Sequence, residues 1–202
     1  MIRAVLFDLG GVLERVVAAD QIEAWTHGQI PASEFWNRWL GAESVRSFET
    51  GKISPLEFAT AAVDELGIRV DPEQFLGGFE TWLAGPYEGA HQLVAEVRAA
   101  GYRVASFSNS NAVHWPLMEH HQMTPALFEA NFPSHLLGIC KPDRQAFQAV
   151  AARWGVPADE ILFLDDNEVN CAGARAAGLQ ARRVHEVAGA RAALVEAGIV
   201  LD

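Results

Sequence analysis

The chain has 202 residues, with 15 basic and 26 acidic side chains and a formal net charge of −11. This length is enough to bury a substantial core and leaves room for one inserted subdomain. The acidic balance, which no cluster of Lys and Arg interrupts, argues against nucleic acids and anionic membranes as partners. A small anionic ligand would therefore need a local attracting device, such as a metal ion or a helix N-terminus.

The cysteine content and the hydropathy pattern indicate a reducing compartment. Cys140 and Cys171 are far apart and lack the spacing of a metal site. A disulfide between them stays open, but two buried thiols are the simpler interpretation. The sequence predicts neither a signal peptide nor a membrane span, since no apolar stretch approaches the roughly 20 residues that a span needs. We therefore expect a cytoplasmic protein.

Short apolar runs alternate with helical patterns along most of the chain. The predicted strands are Ala4–Asp8, "YRVASFSNSN", a weaker one at Phe132–Leu137, "EILFLDDN" and "LQARRV". The predicted helices are Glu88–Ala100, Arg144–Arg153, Asn170–Ala177 and Ala188–Ala197. Continuously apolar strands that alternate with helices predict a parallel α/β sheet that is covered on both faces.

Residues 15–84 show a different pattern, with helical segments and no convincing strand. Helix starts are predicted at Ser33, Ser54 and Asp71–Pro72. We therefore predict an all-helical insert over 15–84, placed between the first strand and the rest of the sheet. The core would then consist of residues 1–14 and 85–202.

Polar side chains occupy the ends of the predicted strands, where parallel sheets bind ligands. These side chains are Asp8, Ser108, Asp165 and Asp166. From its position alone, Asp8 is expected to cap the next turn, to act as a nucleophile or to bind a metal. Gly10 and Gly11 leave that turn open to an oxyanion. The adjacent acids Asp165 and Asp166 are either solvated or, beside Asp8, hold a hard cation, with Mg²⁺ favoured over Ca²⁺.

Ser108 and Lys141 are candidates for binding a phosphate. Ser108 precedes a helix predicted to begin near Asn111, so the hydroxyl and nearby N–H groups either hold an anion or cap the helix. Lys141, in "GICKPD", is one of two lysines in the chain, and Pro142 is predicted as the first residue of the next helix. The ammonium is either solvated or the counter-charge for the acids and a phosphate.

Four motifs carry a family resemblance along essentially the whole chain. In order, "FDLGGV", "SFSNSN", "GICKPD" and "ILFLDDN" resemble the motifs of the haloacid dehalogenase-like hydrolases. The insert resembles their small cap, and "FETGKISPLEF" resembles cap sequences of bacterial sugar-phosphate phosphatases of the glucose-1-phosphate type. The resemblance implies a Rossmann-like, doubly wound parallel sheet with an inserted small all-helical cap domain. It also implies Mg²⁺-dependent hydrolysis of a small phosphate monoester, with a sugar phosphate favoured.

The resemblance assigns a role to each matching position. Asp8 would attack phosphorus and form an aspartyl-phosphate, which water then hydrolyses. Ser108 and Asn109 would hold phosphate oxygens, and Lys141 would balance the charge on the nucleophile and the phosphate. The implied Mg²⁺ ligands are Asp8, the backbone oxygen of Gly10, Asp166 and, through a water or only as an orienting group, Asp165.

The sequence departs from the family pattern at Gly10. Phosphatases of this family commonly have a second Asp there, which protonates the leaving oxygen and later activates water. Such general acid–base help is typically worth about 10²–10⁴-fold in rate. Gly10 keeps its carbonyl but cannot transfer a proton. We therefore expect a weaker enzyme, or one that favours leaving groups needing little protonation, such as an anomeric oxygen.

Two other functions stay open from the sequence. A metal-independent 2-haloacid dehalogenase also lacks an acid at the position of Gly10, although the adjacent acids Asp165 and Asp166 argue against it. A non-catalytic relative would retain the phosphate-binding residues and bind a phosphorylated ligand. In each case the expected partner is a small molecule, a phosphorylated metabolite for the phosphatase, and the chain is expected to be a monomer or a homodimer.

Aromatic side chains of the insert either contact the substrate, together with Arg46 as a hydrogen-bond donor, or form the core of the insert. The candidates are Trp25, Trp36, Trp39, Arg46 and Phe48. Three histidines near the helix that follows Ser108 are expected on the surface rather than at a metal. They are His114, His120 and His121.

Overall fold

The first predicted strand forms the centre of a five-stranded parallel sheet in the computed structural model, which describes residues 1–123 and 127–201 apart from the side chain of Ala32. All of its side chains are buried, because helices cover both faces of the sheet. The strands in these ranges are β1 (Ala4–Phe7), β2 (Glu14–Val16), β3 (Leu83–Pro86), β4 (Arg103–Ser108), β5 (Ala130–Pro133), β6 (Ile161–Asp165) and β7 (Gln180–Arg183).

The sheet has the strand order β5-β4-β1-β6-β7. Strand β1 pairs in parallel with β4 on one side and β6 on the other, so that Leu6 lies between Ala105 and Phe163. The strands of this sheet that follow β1 in the chain are therefore added first on one side of it and then on the other. This change of direction leaves a crevice at the carboxyl ends of the three central strands, β4, β1 and β6. The predicted doubly wound parallel α/β fold is confirmed.

The helices belong either to the insert or to the two layers that cover the faces of the sheet. Over the described residues they are α1 (Ala19–Trp25), α2 (Ala32–Gly41), α3 (Glu43–Glu49), α4 (Pro55–Leu66), α5 (Pro72–Phe79), α6 (Ala90–Ala99), α7 (His114–His120), α8 (Ser134–Leu137), α9 (Arg144–Trp154), α10 (Glu168–Ala176) and α11 (Glu186–Glu196), with 3₁₀ turns at Glu80–Trp82 and Ala158–Glu160. Val5 and Phe7 point toward α6, α7 and α11, whereas Ala4 and Leu6 point toward α9 and α10. The alternation of a strand thus divides its side chains between two apolar cores.

Two further features that the sequence analysis addressed are membrane-spanning helices and the two cysteines. Within the described ranges, no helix combines the length and the apolar character that crossing a membrane requires. Cys140 and Cys171 are both buried and free, as the simpler interpretation of their spacing predicted.

The weak strand predicted at Phe132–Leu137 is only partly correct. The observed strand β5 ends at Pro133, and Ser134–Leu137 forms the short helix α8. Pro133 cannot donate a backbone hydrogen bond and readily precedes a helix, so the pairing with β4 stops there.

The insert is helical except at its two ends. Helix α4 begins with a capping box between Ser54 and Glu57, and the Asp71 carboxylate caps α5, as predicted. Helix α2 begins at Ala32, directly after Pro31, rather than at Ser33. Its helices enclose a cluster of aromatic side chains, among them Trp25, Phe35, Trp39, Phe48, Phe58, Phe75, Phe79 and Trp82.

The expectation that residues 15–84 contain no strand is wrong. Strands β2 and β3 pair antiparallel where the chain enters and leaves the insert, with Val16 opposite Leu83. These strands have only three and four residues, which is too short for a period-two pattern to be visible.

The insert meets the core at the turn after α3. Gly51 has a φ of +70°, and a Cβ at this position would lie 2.4 Å from the carbonyl oxygen of His135 in α8. One turn before the end of α3, Arg46 forms an ion pair with Asp143, which precedes α9. This close backbone approach holds α3 against the part of the core that leads to Lys141.

We expect Gly51→Ala to reduce the free energy of unfolding by more than Gly28→Ala does. Both glycines have a left-handed φ, +70° and +67°, which costs an L-residue about 1–2 kcal/mol. A Cβ at Gly28 would meet no atom within 4 Å, whereas at Gly51 it would overlap a backbone carbonyl. Chemical denaturation of the two variants and the wild type measures the difference, and equal losses would contradict this packing.

Candidate active site

Three carboxylates meet at the ends of the central strands. Asp8 follows β1, and Asp165 and Asp166 lie at the end of β6. One oxygen atom from each lies within 4.8 Å of the others. Asp8 and Asp166 line a cavity of about 880 Å³, together with Ser108 at the end of β4. The crevice at the strand ends therefore brings together the acids that the sequence singled out.

Lys141 supplies the positive charge within this cluster. Its Nζ atom is 2.8 Å from Asp8 Oδ1 and 2.7 Å from Asp165 Oδ2, and the side chain is buried. The same atom lies 5.5 Å and 5.4 Å from the ring centroids of Phe107 and Phe163. Burial alone would lower the pKa of Lys141, but the two carboxylates outweigh this effect and raise its pKa. The ammonium group therefore stays charged.

Asp165 is fully engaged by protein donors. Its Oδ2 accepts from Lys141 Nζ, and its Oδ1 accepts from the backbone N–H of Asn167 at 2.8 Å. The side-chain amide of Asn170 lies 3.1 Å from both oxygens. This set of donors favours the orienting role for Asp165 over direct metal binding, because its lone pairs are already used.

Asp8 keeps one oxygen available for chemistry. Its Oδ1 accepts from the Lys141 ammonium and, at 2.8 Å, from the backbone N–H of Leu9. No described residue donates a hydrogen bond to Oδ2. Burial raises the pKa of Asp8 well above its usual value, and the charges of Asp165 and Asp166 add to this shift, whereas Lys141 opposes it. A bound cation would relieve this penalty.

Of the two glycines that follow Leu9, only Gly11 is required by the packing around it. Gly11 has a φ of +72°, and a Cβ there would lie 2.4 Å from Oδ2 of Asp166. Gly11 therefore makes room for the Asp166 carboxylate. A Cβ on Gly10 would lie 3.5 Å from Val16 Cγ2, which is ordinary van der Waals contact. Space in this structure does not demand a glycine at position 10.

The cluster has the chemistry of a site for a hard divalent cation. Burial raises the pKa of Asp166, and its neighbour Asp165 raises it further. No other described residue donates a hydrogen bond to the Asp166 carboxylate. The buried carboxylate of Asp8 and the half-buried carboxylate of Asp166, together with the nearby Gly10 backbone, form an all-oxygen donor set that suits Mg²⁺.

The Asn109 side chain, which the family resemblance assigns to a phosphate, binds the backbone of Lys141 instead. The Asn109 amide accepts from the Lys141 N–H at 2.8 Å and donates to the Lys141 carbonyl at 3.0 Å. This side chain is therefore committed to holding Lys141, and its backbone N–H is the group left for a phosphate. Ser108 is buried beside it, with Oγ 3.4 Å from the Asn109 carbonyl oxygen.

Both helices expected to start beside the site begin later in the chain. Helix α7 starts at His114 rather than near Asn111, because the Asn111 side chain accepts from the backbone N–H groups of Val113 and His114. Helix α9 starts at Arg144, so Pro142 lies before it. The end of β4 therefore positions Ser108, and the loop before α9 positions Lys141, so neither residue lies at a helix N-terminus.

The insert contributes a wall to the cavity. Trp36, Trp39 and Arg46 line it as the sequence suggested, whereas Trp25 and Phe48 are buried in the core of the insert. Sequence reasoning missed a further lining residue, Glu49 at the end of α3. Its only signal was its place in "FETGKISPLEF", two residues before the turn glycine Gly51.

The expected surface position of the three histidines is wrong for His114. It is buried in the cavity wall, with Nε2 2.8 Å from the Phe79 carbonyl oxygen and its ring stacked on Phe79. Burial lowers the pKa of His114 to about 4, so it is neutral at physiological pH. His121 is half-buried and lies 2.6 Å from Glu14, and His120 is exposed.

Comparisons with known proteins agree with this geometry. A family model described as haloacid dehalogenase-like hydrolase matches residues 2–178, which include every residue of the acidic cluster. Phosphatase MT3486 of Mycobacterium tuberculosis is 28% identical over 197 residues, covering 89% of this chain and 86% of its own. Sesquiterpene phosphatase astK of Aspergillus oryzae is 26% identical over 179 residues, covering 88% and 87%.

A similar solved structure contains a metal. The haloacid dehalogenase family enzyme bt-2542 of Bacteroides thetaiotaomicron, solved as a magnesium complex, is 26% identical. It has a TM-score of 0.71 and covers 91% of this chain and 93% of its own. This likeness extends over both the sheet and the insert.

We expect Lys141→Met to destabilise the fold by about 3–5 kcal/mol, because it leaves buried carboxylates without their counter-charge. The loss should shrink as the pH falls, since Asp8, whose pKa burial already raises, then becomes protonated. The matched control is Lys52→Met, which replaces the other lysine of the chain at an exposed position. Urea denaturation at two pH values compares the variants, and an equal stability of both would contradict the buried charge cluster.

Proposed function

This chain belongs to the haloacid dehalogenase-like hydrolases, and we propose that it is a Mg²⁺-dependent phosphatase acting on a small phosphate monoester. The observation that carries the proposal is the convergence of Asp8, Asp166 and Lys141 in one cavity. A nucleophilic carboxylate, a partly unsatisfied second carboxylate and a fixed ammonium are what transfer of a phosphoryl dianion requires. The similarity to Phosphatase MT3486 supports this choice of reaction.

Asp8 would act as the nucleophile through its free Oδ2 atom. This oxygen attacks phosphorus in line with the leaving oxygen and forms an aspartyl-phosphate, which water then hydrolyses. The hydrogen bonds from Lys141 and Leu9 to Oδ1 hold the carboxylate in one orientation, so that the attack needs little reorganisation.

The remaining groups would bind the phosphate and offset its charge. Lys141 lies next to the attacking carboxylate, and the Ser108 hydroxyl and the Asn109 backbone N–H can donate to phosphate oxygens. A bound Mg²⁺, held by Asp8, Asp166 and the Gly10 carbonyl, would neutralise part of the charge on the phosphate. Asp165 would act only by orienting Lys141.

The insert would bind the alcohol part of the substrate and so select it. The ring faces of Trp36 and Trp39 suit a sugar, which is the class that the cap sequence favours. Exposed aliphatic side chains at the cavity, Val16, Leu40 and Val169, favour a second class, the phosphate of an apolar alcohol. The similarity to a sesquiterpene phosphatase supports that second class.

A halide displacement on the same aspartate is the main rival reaction, because haloacid dehalogenases belong to this family. That reaction needs no cation, and it would leave unexplained why Gly11 is open to admit the Asp166 carboxylate. A purely binding protein would use the same cavity without turnover. The cation-binding character of the cluster therefore favours the phosphatase.

The enzyme is expected to release phosphate from p-nitrophenyl phosphate with Mg²⁺ and to lose this activity in EDTA. Asp8→Asn should reduce turnover at least about 10³-fold, because an amide oxygen is a poor nucleophile toward phosphorus. The activity assay needs a binding control, since Asp8→Asn should still bind inorganic phosphate in a titration.

Other outcomes of that assay would support other functions. Halide release from a 2-haloacid without Mg²⁺ would indicate a dehalogenase, and phosphate binding by the wild type without any turnover would indicate a binding protein. The same assay with glucose 1-phosphate and a prenyl monophosphate decides between the two substrate classes.

Mg²⁺ is expected to raise the melting temperature of the wild type. At a hundredfold excess over its Kd, a bound ion stabilises by about 2.7 kcal/mol, which corresponds to about 5–10 °C for a chain of this size. Asp166→Asn should abolish the shift, whereas Asp159→Asn, which alters an exposed Asp outside the cluster, should retain it. A full shift in Asp166→Asn, measured by calorimetry, would contradict the assigned ligand.

A further inference from the structure

Helix α3 places a carboxyl group in the cavity for which phosphoryl transfer by Asp8 and Lys141 provides no role. Glu49 is the last residue of α3, is half-buried and lines the cavity along with Asp8, Ser108 and Lys141. An acidic side chain facing a site for a phosphate dianion is costly if it is charged, because like charges repel. A role for Glu49 in its protonated form would explain why an acidic residue occupies this position.

Contacts on both sides of Glu49 fix its position. One turn earlier, Arg46 pairs with Asp143, and its Nη1 lies 3.5 Å from the sulfur of Cys140. Two residues later, Gly51 packs against the backbone of His135. The end of α3 is therefore held against the core from either side, which keeps the backbone of Glu49 at the cavity wall.

Burial at the cavity wall, which outweighs the nearby positive charges, favours Glu49 as a group that exchanges a proton near neutral pH. The charged and titratable groups that face it are Lys141 and Cys140 from the loop before α9, and Arg46 on α3 itself. Burial raises the pKa of Glu49 to about 7, although Lys141 and the side chains of Trp39 and Asn109 act in the opposite direction. A phosphate dianion bound nearby would raise this pKa further, so Glu49 would be protonated when the substrate is bound.

The proposed reaction leaves a place for such a group. Asp8 lies at the carboxyl end of the central strand β1. In-line attack from there requires the leaving oxygen on the opposite side of phosphorus, toward the insert. The departing alkoxide needs a proton, and Gly10 has no side chain to supply one. Glu49 is the carboxyl group that the insert, residues 15–84, contributes to the cavity lining.

We propose that Glu49 is the general acid and base of this enzyme, taking the part that a side chain at position 10 would otherwise take. The inference rests on the proposed phosphatase function. As the Asp8 Oδ2–P bond forms and the P–O bond to the alcohol breaks, the Glu49 proton passes to the leaving oxygen, which yields the free alcohol and a Glu49 carboxylate. In the second step, water attacks phosphorus and the Asp8 Oδ2–P bond breaks, while one water proton passes to Glu49, so that inorganic phosphate and the original enzyme are released.

A pair of aromatic substrates of similar size tests this role. The nitrophenolate of p-nitrophenyl phosphate leaves without protonation, whereas the alkoxide of benzyl phosphate needs a proton. Glu49→Gln keeps the size of the side chain but cannot transfer a proton. We expect it to lower kcat/KM for benzyl phosphate by about 10²–10³-fold and that for p-nitrophenyl phosphate by less than about tenfold.

Three further experiments separate a proton-transfer role from a structural one. Glu43→Gln, at the exposed start of the same helix, should leave both substrates unaffected. A ¹³C NMR titration of the wild type should show one glutamate with a pKa near the expected value of about 7, which is missing from Glu49→Gln. Introducing Gly10→Asp into the Glu49→Gln variant should restore benzyl phosphate turnover at least tenfold, since position 10 has room for a side chain.

The outcomes distinguish this inference from the function on which it rests. A wild type that hydrolyses both esters, combined with an equal loss on both in Glu49→Gln, would overturn the role of Glu49 and leave the phosphatase intact. The absence of any Mg²⁺-dependent turnover by the wild type would instead overturn the proposed function.

Discussion

The Lys141 ammonium, buried between the carboxylates of Asp8 and Asp165, is the interaction on which the site depends. Two carboxylates at these distances could not share a buried crevice without it, since the cost of removing them from water would exceed any gain from packing. Three strand ends cooperate to hold this one charge. Asp8 follows β1 and Asp165 ends β6. Asn109 follows β4, and its side-chain amide binds the backbone N–H and the backbone carbonyl of Lys141. The sheet thereby becomes a rigid support for a reactive oxygen.

The same arrangement divides the work between the sheet and the insert. The sheet presents charge at its carboxyl edge, where Asp166 is admitted by the open turn at Gly11. The insert lines the cavity with the rings of Trp36 and Trp39 and with Glu49. The contact of Gly51 with His135 holds the insert against the core. In the proposed function the core would bind the phosphate, so that a change in the insert alone would change the substrate. It follows that the acid required for the leaving group can also come from the insert.

Much of the fold is predictable because strong local signals determine it. The buried strands are short continuous apolar runs, and Ser54 and Asp71 are efficient helix caps, so their positions follow from neighbouring residues alone. The misplaced elements lack such signals. Strands β2 and β3 are too short to show alternation, and helix α7 is delayed because Asn111 caps it from an irregular turn. Helix α8 reads as strand in the sequence because four residues are too few to show a helical period.

The sequence by itself determined which residues end the central strands, and parallel topology then requires those ends to meet. That is why Asp8, Ser108 and the acid pair can be assigned to one site from the sequence, whereas Lys141 joins them through the family resemblance. Only the tertiary structure decided what each group binds: that the Asn109 side chain holds Lys141, that Gly11 rather than Gly10 must lack a side chain, and that Glu49 enters the cavity. These outcomes depend on distances of a few ångströms between segments that are remote in the chain. Local sequence patterns carry no information about such distances, because packing of the insert against the sheet sets them.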